Sequence, residues 1–174
     1  LSFVCPHPPY ISPPDLFDLY PPEEHPLPSQ WQSDQWPTHP ALDYFRRFFH
    51  FDRPFTESEI RRLTSAYYGV CTHLDRQIGR VLGALSSTDL ENNTRVIYTS
   101  DHGESLGARG LFGKFTMYEE AASVPLILAG PDVPIEHVCK TPVSLADCFP
   151  TVLECVGAFT HPDDHGLPGS SLWP

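Results

Sequence analysis

Thr94-Arg-Val-Ile-Tyr-Thr99, running on into Ser100-Asp101-His102-Gly103-Glu104-Ser-Leu-Gly107, is the stretch on which the fold reading turns. Its first six residues are rich in β-branched and aromatic side chains and follow the turn-forming Glu91-Asn92-Asn93, so they read as a strand. That strand ends in Asp-His-Gly. Open α/β sheets bind ligands at the carboxyl edge of their strands, and a carboxylate beside an imidazole can there hold one divalent cation if the backbone turns sharply. Gly103 is expected to permit that turn. The competing reading is a strand followed by a polar turn in which Asp101 caps the next segment. Spacing alone does not separate the two.

On the C-terminal side, Gly103, Gly107, Gly110 and Gly113 punctuate a loop that ends at Lys114. A lysine on such a loop beside a metal can hold an oxyanion as a point charge, although in isolation it reads as a solvated surface residue. Arg109, Tyr118 and Glu119 are near enough in sequence to line such a site, or simply to pack the loop. Residues 117–122 suggest a brief helix. Val124-Pro-Leu-Ile-Leu-Ala129 is a second apolar strand, closed by Gly130-Pro131-Asp132. Residues 144–157 read as a helix with Pro150 inside it and Gly157 as its stop.

On the N-terminal side, Thr56-x-x-Glu59 is a capping-box signature. Ile60, Leu63, Tyr67, Cys71, Leu74, Ile78, Val81, Leu82 and Leu85 then recur at helical spacing. They predict one amphipathic helix to about residue 86, on the order of 40 Å long. Gly69, Gly79 and Gly83 are expected to mark its close approach to a sheet, and Arg46-Arg47 and Arg61-Arg62 to be solvated. Residues 6–54 form a Pro/aromatic-rich loop, with short helical turns expected near 15–19 and 39–49. Residues 1–5 read as a short buried strand stopped by Pro6. The element order predicts an α/β fold with a mostly parallel sheet covered on both faces. Only about three strands are visible, few for such a sheet, so the fold is expected to be present here in part.

Composition narrows the function. A net charge of −11 over 174 residues excludes a nucleic-acid binder, since nothing here would neutralise phosphates along a strand. No apolar run approaches the ~20 residues needed to span a bilayer. The five cysteines form no Cys-x-x-Cys pair. An odd count without metal-type spacing reads as free thiols in a reducing, cytoplasmic compartment. In the Pro/Gly-rich tail, 158–174, His161, Asp163, Asp164 and His165 read as exposed rather than chelating.

Ser100-Asp101-His102-Gly103-Glu104, Leu106-Gly107, Lys114, Glu119 and Val124-Pro125-Leu126-Ile127 resemble the second signature region of the sulfatases, within the alkaline phosphatase-like superfamily. Pro6-His7-Pro8-Pro9-Tyr10 is similar to the His-containing turn of the choline sulfatase and phosphonate monoester hydrolase branch. Tyr67-Tyr68-Gly69, Leu74-Asp75-x-x-Ile78-Gly79-Arg80, Val143-Ser-Leu-Ala-Asp147 and Phe149-Pro150-Thr151 match that branch too. The resemblance covers residues 1–157 and implies the C-terminal part of a three-layer α/β/α catalytic domain. It implies that Asp101 and His102 complete the coordination of Ca²⁺, Mn²⁺ or Mg²⁺; the imidazole favours Mn²⁺ more than oxygen ligands alone would. Lys114 corresponds to the lysine on the sulfate or phosphonate oxygens, with Arg109 a further substrate-binding candidate. His7 corresponds to the histidine beside the scissile ester, a hydrogen-bond or proton donor.

The family's nucleophile is a formylglycine made within Cys/Ser-x-Pro-x-Arg, and no such motif occurs here. It is expected upstream, together with the remaining acidic ligands. The expected activity is therefore metal-dependent hydrolysis of a small sulfate ester by the complete protein, with homo-oligomer contacts through the Pro-rich loop and tail. The isolated chain is expected to be inactive. Two alternatives stand beside this: a phosphonate monoester or phosphodiester hydrolase of the same superfamily, and a non-catalytic fragment or binding module.

Overall fold

The computed structural model describes residues 1–158 and 161–173, without the side chains of Pro162 and His165. The helices are α1 (Pro14–Phe17), α2 (Pro40–Phe48), α3 (Glu57–Ser86), α4 (Glu119–Ala122) and α5 (Cys148–Cys155), and the strands are β1 (Val96–Thr99) and β2 (Leu126–Ala129). The chain divides into two compact units. Unit 1 holds residues 1–87 and 102–124, and unit 2 holds 88–101 and 125–174.

Unit 1 is built on α3. Thr56 and Glu59 form the expected reciprocal capping box, the Thr56 N–H donating to Glu59 at 2.7 Å and the Glu59 N–H to the Thr56 hydroxyl at 3.2 Å. The first half of α3 buries Ile60, Thr64, Ser65, Gly69 and Val70. At position 69 only glycine fits, because the chain at the start of α1 lies close. A Cβ on Gly69 would stand 2.1 Å from the Ser12 hydroxyl oxygen. The close approach is thus to residues 12–16 and not to a sheet, and Gly79 and Gly83 face nothing within 4 Å among the described residues.

The Pro/aromatic-rich segment is ordered by packing. His25 is buried, with its Nε2 bonded to the Ser65 hydroxyl at 3.1 Å and its ring edge-on to Tyr68. Arg61 donates to the His25 carbonyl and to Glu57, so it is not the solvated residue expected. Arg46 departs further. Only 3% exposed, it donates to Asp43, to the Pro37 carbonyl and to the Arg109 carbonyl, and lies over Trp36. Those acceptors offset the burial of its terminal nitrogens, while its Nε is buried without a hydrogen-bond partner among the described residues. Arg47 and Arg62 are exposed as expected.

Residues 1–5 are exposed and not a strand. Val4 and His7 close a turn, the His7 N–H donating to the Val4 carbonyl at 3.0 Å, and the described residues offer this segment no strand partner.

In unit 2, β1 and β2 pair antiparallel with Val96 opposite Ala129 and Thr99 opposite Leu126. The pairing within this chain therefore differs from the parallel arrangement read from the element order. β2 starts two residues later than its apolar run, just after Pro125, which lacks the N–H a ladder needs. Arg95 ties the unit together. It donates to the Pro131 and Cys155 carbonyls, pairs with Asp132 at 2.8 Å and lies over Trp173. The expected C-terminal helix begins as a capped 3₁₀ turn, Leu145–Asp147, and continues as α5 to Cys155, with Gly157 just beyond it at φ +66°. Among the described residues no helix is long and apolar enough to cross a membrane.

Candidate functional site

Asp101 is exposed and closes the segment that follows β1. His102 opens the loop of unit 1 and is half-buried, with its Nδ1 2.8 Å from the Gly103 carbonyl oxygen. A carbonyl only accepts, so Nδ1 carries the proton. That tautomer suits a metal ligand. His7, exposed, has the same arrangement: its Nδ1 donates to the Pro8 carbonyl at 2.8 Å.

Gly103 has a role its sequence position did not reveal. Its φ is not in the left-handed range; instead, its Cα lies against α4. A Cβ would meet the Glu120 carbonyl oxygen at 2.1 Å, and the Gly103 N–H donates to the Ala121 carbonyl at 2.8 Å. The loop is next closed on itself. Glu104 accepts from the Leu106 N–H at 3.0 Å and the Gly113 N–H at 2.6 Å, while the Ser105 hydroxyl and N–H both donate to the Gly113 carbonyl. Gly113 has φ +78° and passes the chain to Lys114. Phe112 and Phe115 flank this turn and are pinned from the aromatic-rich segment. Phe115 stacks on Phe49 with centroids 4.2 Å apart, and Phe112 packs on Phe51 and Phe55. The long segment before α3 thus anchors the Lys114 turn. Among the described residues Lys114 enters no ion pair.

Arg109 sits at the loop's far corner with φ +57°. Its guanidinium reaches both oxygens of Glu120 at 2.8 Å and lies over Tyr118 at 4.1 Å. Arg109, by hydrogen bonding, holds the Glu120 carboxyl below its usual range. The acidic partner is therefore Glu120; Glu119, the residue singled out from sequence, is exposed at the start of α4.

Sequence reasoning passed over a cluster behind the His7 turn. Tyr10 meets Tyr67 edge-on at 5.6 Å, and burial pushes both phenols up, with the Glu104 charge adding to it. Burial likewise raises the Cys71 thiol. Nothing in the residue spacing linked Tyr10 or Tyr67 to Glu104. In the tail, His161 accepts from the Asp163 N–H, and the side chain of His165 lies outside the described residues.

Among the described residues no three His, Cys, Asp or Glu side chains converge on one point. Asp101 and His102 supply a carboxylate and an imidazole. Their chemistry fits part of a divalent-metal shell that needs oxygen ligands from elsewhere.

Comparison with known proteins fixes the family. The sulfatase family profile matches residues 1–158. The chain is 39% identical over 137 residues to arylsulfatase K of Canis lupus familiaris, covering 78% of this chain and 25% of that protein. It is 34% identical over 161 residues to choline-sulfatase of Rhizobium meliloti (strain 1021), covering 90% of this chain and 31% of that one. The solved structure of a phosphonate monoester hydrolase from Silicibacter pomeroyi superposes with a TM-score of 0.85 at 32% identity, covering 99% of this chain and 35% of that chain. The chain thus spans about a quarter to a third of the length of the relatives it matches. The two-stranded sheet and its helices are accordingly part of the alkaline phosphatase-like α/β fold, and the chain belongs to the sulfatase family.

Proposed function

We propose that the complete protein hydrolyses a small sulfate ester in a metal-dependent reaction, with this chain supplying part of the metal site and the anion site. The observation that carries the reading is the Asp101-His102 pair at the head of a loop whose internal bonds set Lys114, in a chain matched by the sulfatase family over residues 1–158. Asp101 and His102 Nε2 would hold the divalent ion, Ca²⁺, Mn²⁺ or Mg²⁺. When bound, the ion supplies Lewis-acid stabilisation of the ester's oxygens.

Lys114 stabilises charge on the sulfate oxygens as a point donor. His7 in its protonated form donates from Nε2 to the departing alkoxide oxygen, Nδ1 being engaged by the Pro8 carbonyl. Arg109, committed to Glu120, contributes by holding the loop, and touches the anion only if that pair opens. The nucleophile, a formylglycine in the family, comes from outside these 174 residues, because they contain no Cys/Ser-x-Pro-x-Arg. The test is Asp101→Ala in the complete protein. Metal content and turnover of an aryl sulfate should both be lost, and normal turnover with normal metal content refutes the assignment.

The structural likeness to a phosphonate monoester hydrolase favours a second reading, hydrolysis of phosphonate monoesters or phosphodiesters. Sulfate and phosphonate share tetrahedral oxyanion geometry. Turnover compared across aryl sulfate, phosphonate monoester and phosphodiester decides between them.

A further inference from the structure

Three segments carry the site residues of unit 1: the turn before Tyr10 holds His7, the head of the loop holds His102, and its end holds Lys114. One side chain of the second segment bonds directly to the third. Glu104 lies two residues after His102. Its Oε1 takes the Gly113 N–H at 2.6 Å, immediately before Lys114, and the Leu106 N–H at 3.0 Å. The Tyr10 phenol, three residues after His7, feels the charge of the same carboxylate. That phenol is buried and makes no hydrogen bond of good geometry, and its pKa is raised by burial and then by the Glu104 charge. Among the described residues no cation pairs with Glu104. The carboxylate is therefore spent on backbone N–H groups, and an acceptor-only group with two oxygens suits that use.

We propose that Glu104 is the positioning residue of this site, tying the Lys114 turn to the chain just past His102 so that the anion-holding lysine is set by the loop. The proposal rests on the anion-binding reading of Lys114 given above. Length matters more than charge. Glu104→Gln keeps an acceptor oxygen at the same reach, whereas Glu104→Asp keeps the charge but falls short of Gly113, and Glu104→Ala removes both.

The chain has two lysines, Lys114 and Lys140, which allows a readout that does not depend on turnover. The complete protein is labelled with an amine reagent over a range of inorganic sulfate concentrations. Labelling is then quantified at Lys114 by peptide mapping, with Lys140 as internal reference. In the unmodified protein sulfate should slow labelling at Lys114 and not at Lys140. Glu104→Asp and Glu104→Ala should raise the half-protecting sulfate concentration by about 10- to 100-fold, the usual range for losing a group that orients a binding residue, while Glu104→Gln stays within about threefold.

Thermal melts show which variants fold. If Glu104→Ala does not, the Asp and Gln pair decides the matter. Protection unchanged in Glu104→Asp overturns the positioning role and leaves the reading of Lys114 intact. No protection in the unmodified protein overturns both.

Discussion

Gly103→Ala tests the backbone contact on which the head of the loop rests. The new Cβ would stand 2.1 Å from the Glu120 carbonyl oxygen and 3.1 Å from that of Ser123. An unstrained carbon–oxygen contact is about 3.3 Å, so the turn and α4 must part by roughly 1.2 Å. The bond from the Gly103 N–H to the Ala121 carbonyl starts at 2.8 Å. The same displacement would open it to about 4 Å, beyond hydrogen-bond range. No side chain can rotate away, because the obstacle is backbone. α4 is also held from its other side by the buried Ala121 and by the Glu120–Arg109 pair. Overpacking of this kind costs about 1–3 kcal/mol and the lost bond about 0.5–1.5 kcal/mol, which together give about 2–4 kcal/mol. The assay is urea unfolding of the complete protein, with bound metal measured alongside, since His102 adjoins the displaced residue. A loss below about 0.5 kcal/mol, within the range of an ordinary surface change, would refute the reasoning.

Two further outcomes are expected. Gly110 has φ +66°, and a Cβ there would enter the Trp36 ring at 2.2 Å. Gly110→Ala should cost about 2–4 kcal/mol, of which about 1–2 kcal/mol, the left-handed backbone strain, should persist beside Trp36→Ala; equal costs in both backgrounds in a double-mutant cycle would show the ring to be irrelevant. Glu59 is held at about 2, chiefly by hydrogen bonding from Arg53 and then by Thr56, against an ordinary 4.5. A carboxyl lowered by folding contributes stability above its unfolded value and loses it as pH falls through the folded one. The melting temperature should therefore decline from about pH 4.5 towards pH 2, and Glu59→Gln should flatten that decline. An identical acid slope in the variant would exclude Glu59 as its source.

Much of this molecule was legible from local chemistry. The α3 cap, the extent of α3 to residue 86, the strand before Asp101 and the stop at Gly157 each depend on residues a few positions apart, and each formed where expected. The buried face of α3, by contrast, is Ile60, Thr64, Ser65, Gly69 and Val70, and the expected Val81 and Leu82 are exposed. The Asp-His-Gly string and its resemblance to the sulfatases likewise pointed to the family from sequence alone. What local chemistry could not supply was the partner of each group. Gly103 was read as a turn residue, yet backbone–backbone proximity to Glu120 explains it, and proximity across 17 positions leaves no periodic trace. Arg46 looked solvated because its acceptors, the Pro37 and Arg109 carbonyls, are backbone groups invisible in a list of side chains. The antiparallel pairing of β1 and β2 was decided by how residues 100–125 return the chain, whereas the order of elements had suggested parallel strands. The sequence determined which residue types stand at positions 101, 102 and 114. Only the tertiary structure decided that Glu104 accepts the Gly113 N–H immediately before Lys114, because one carboxylate can close a loop whose ends the residue order does not pair.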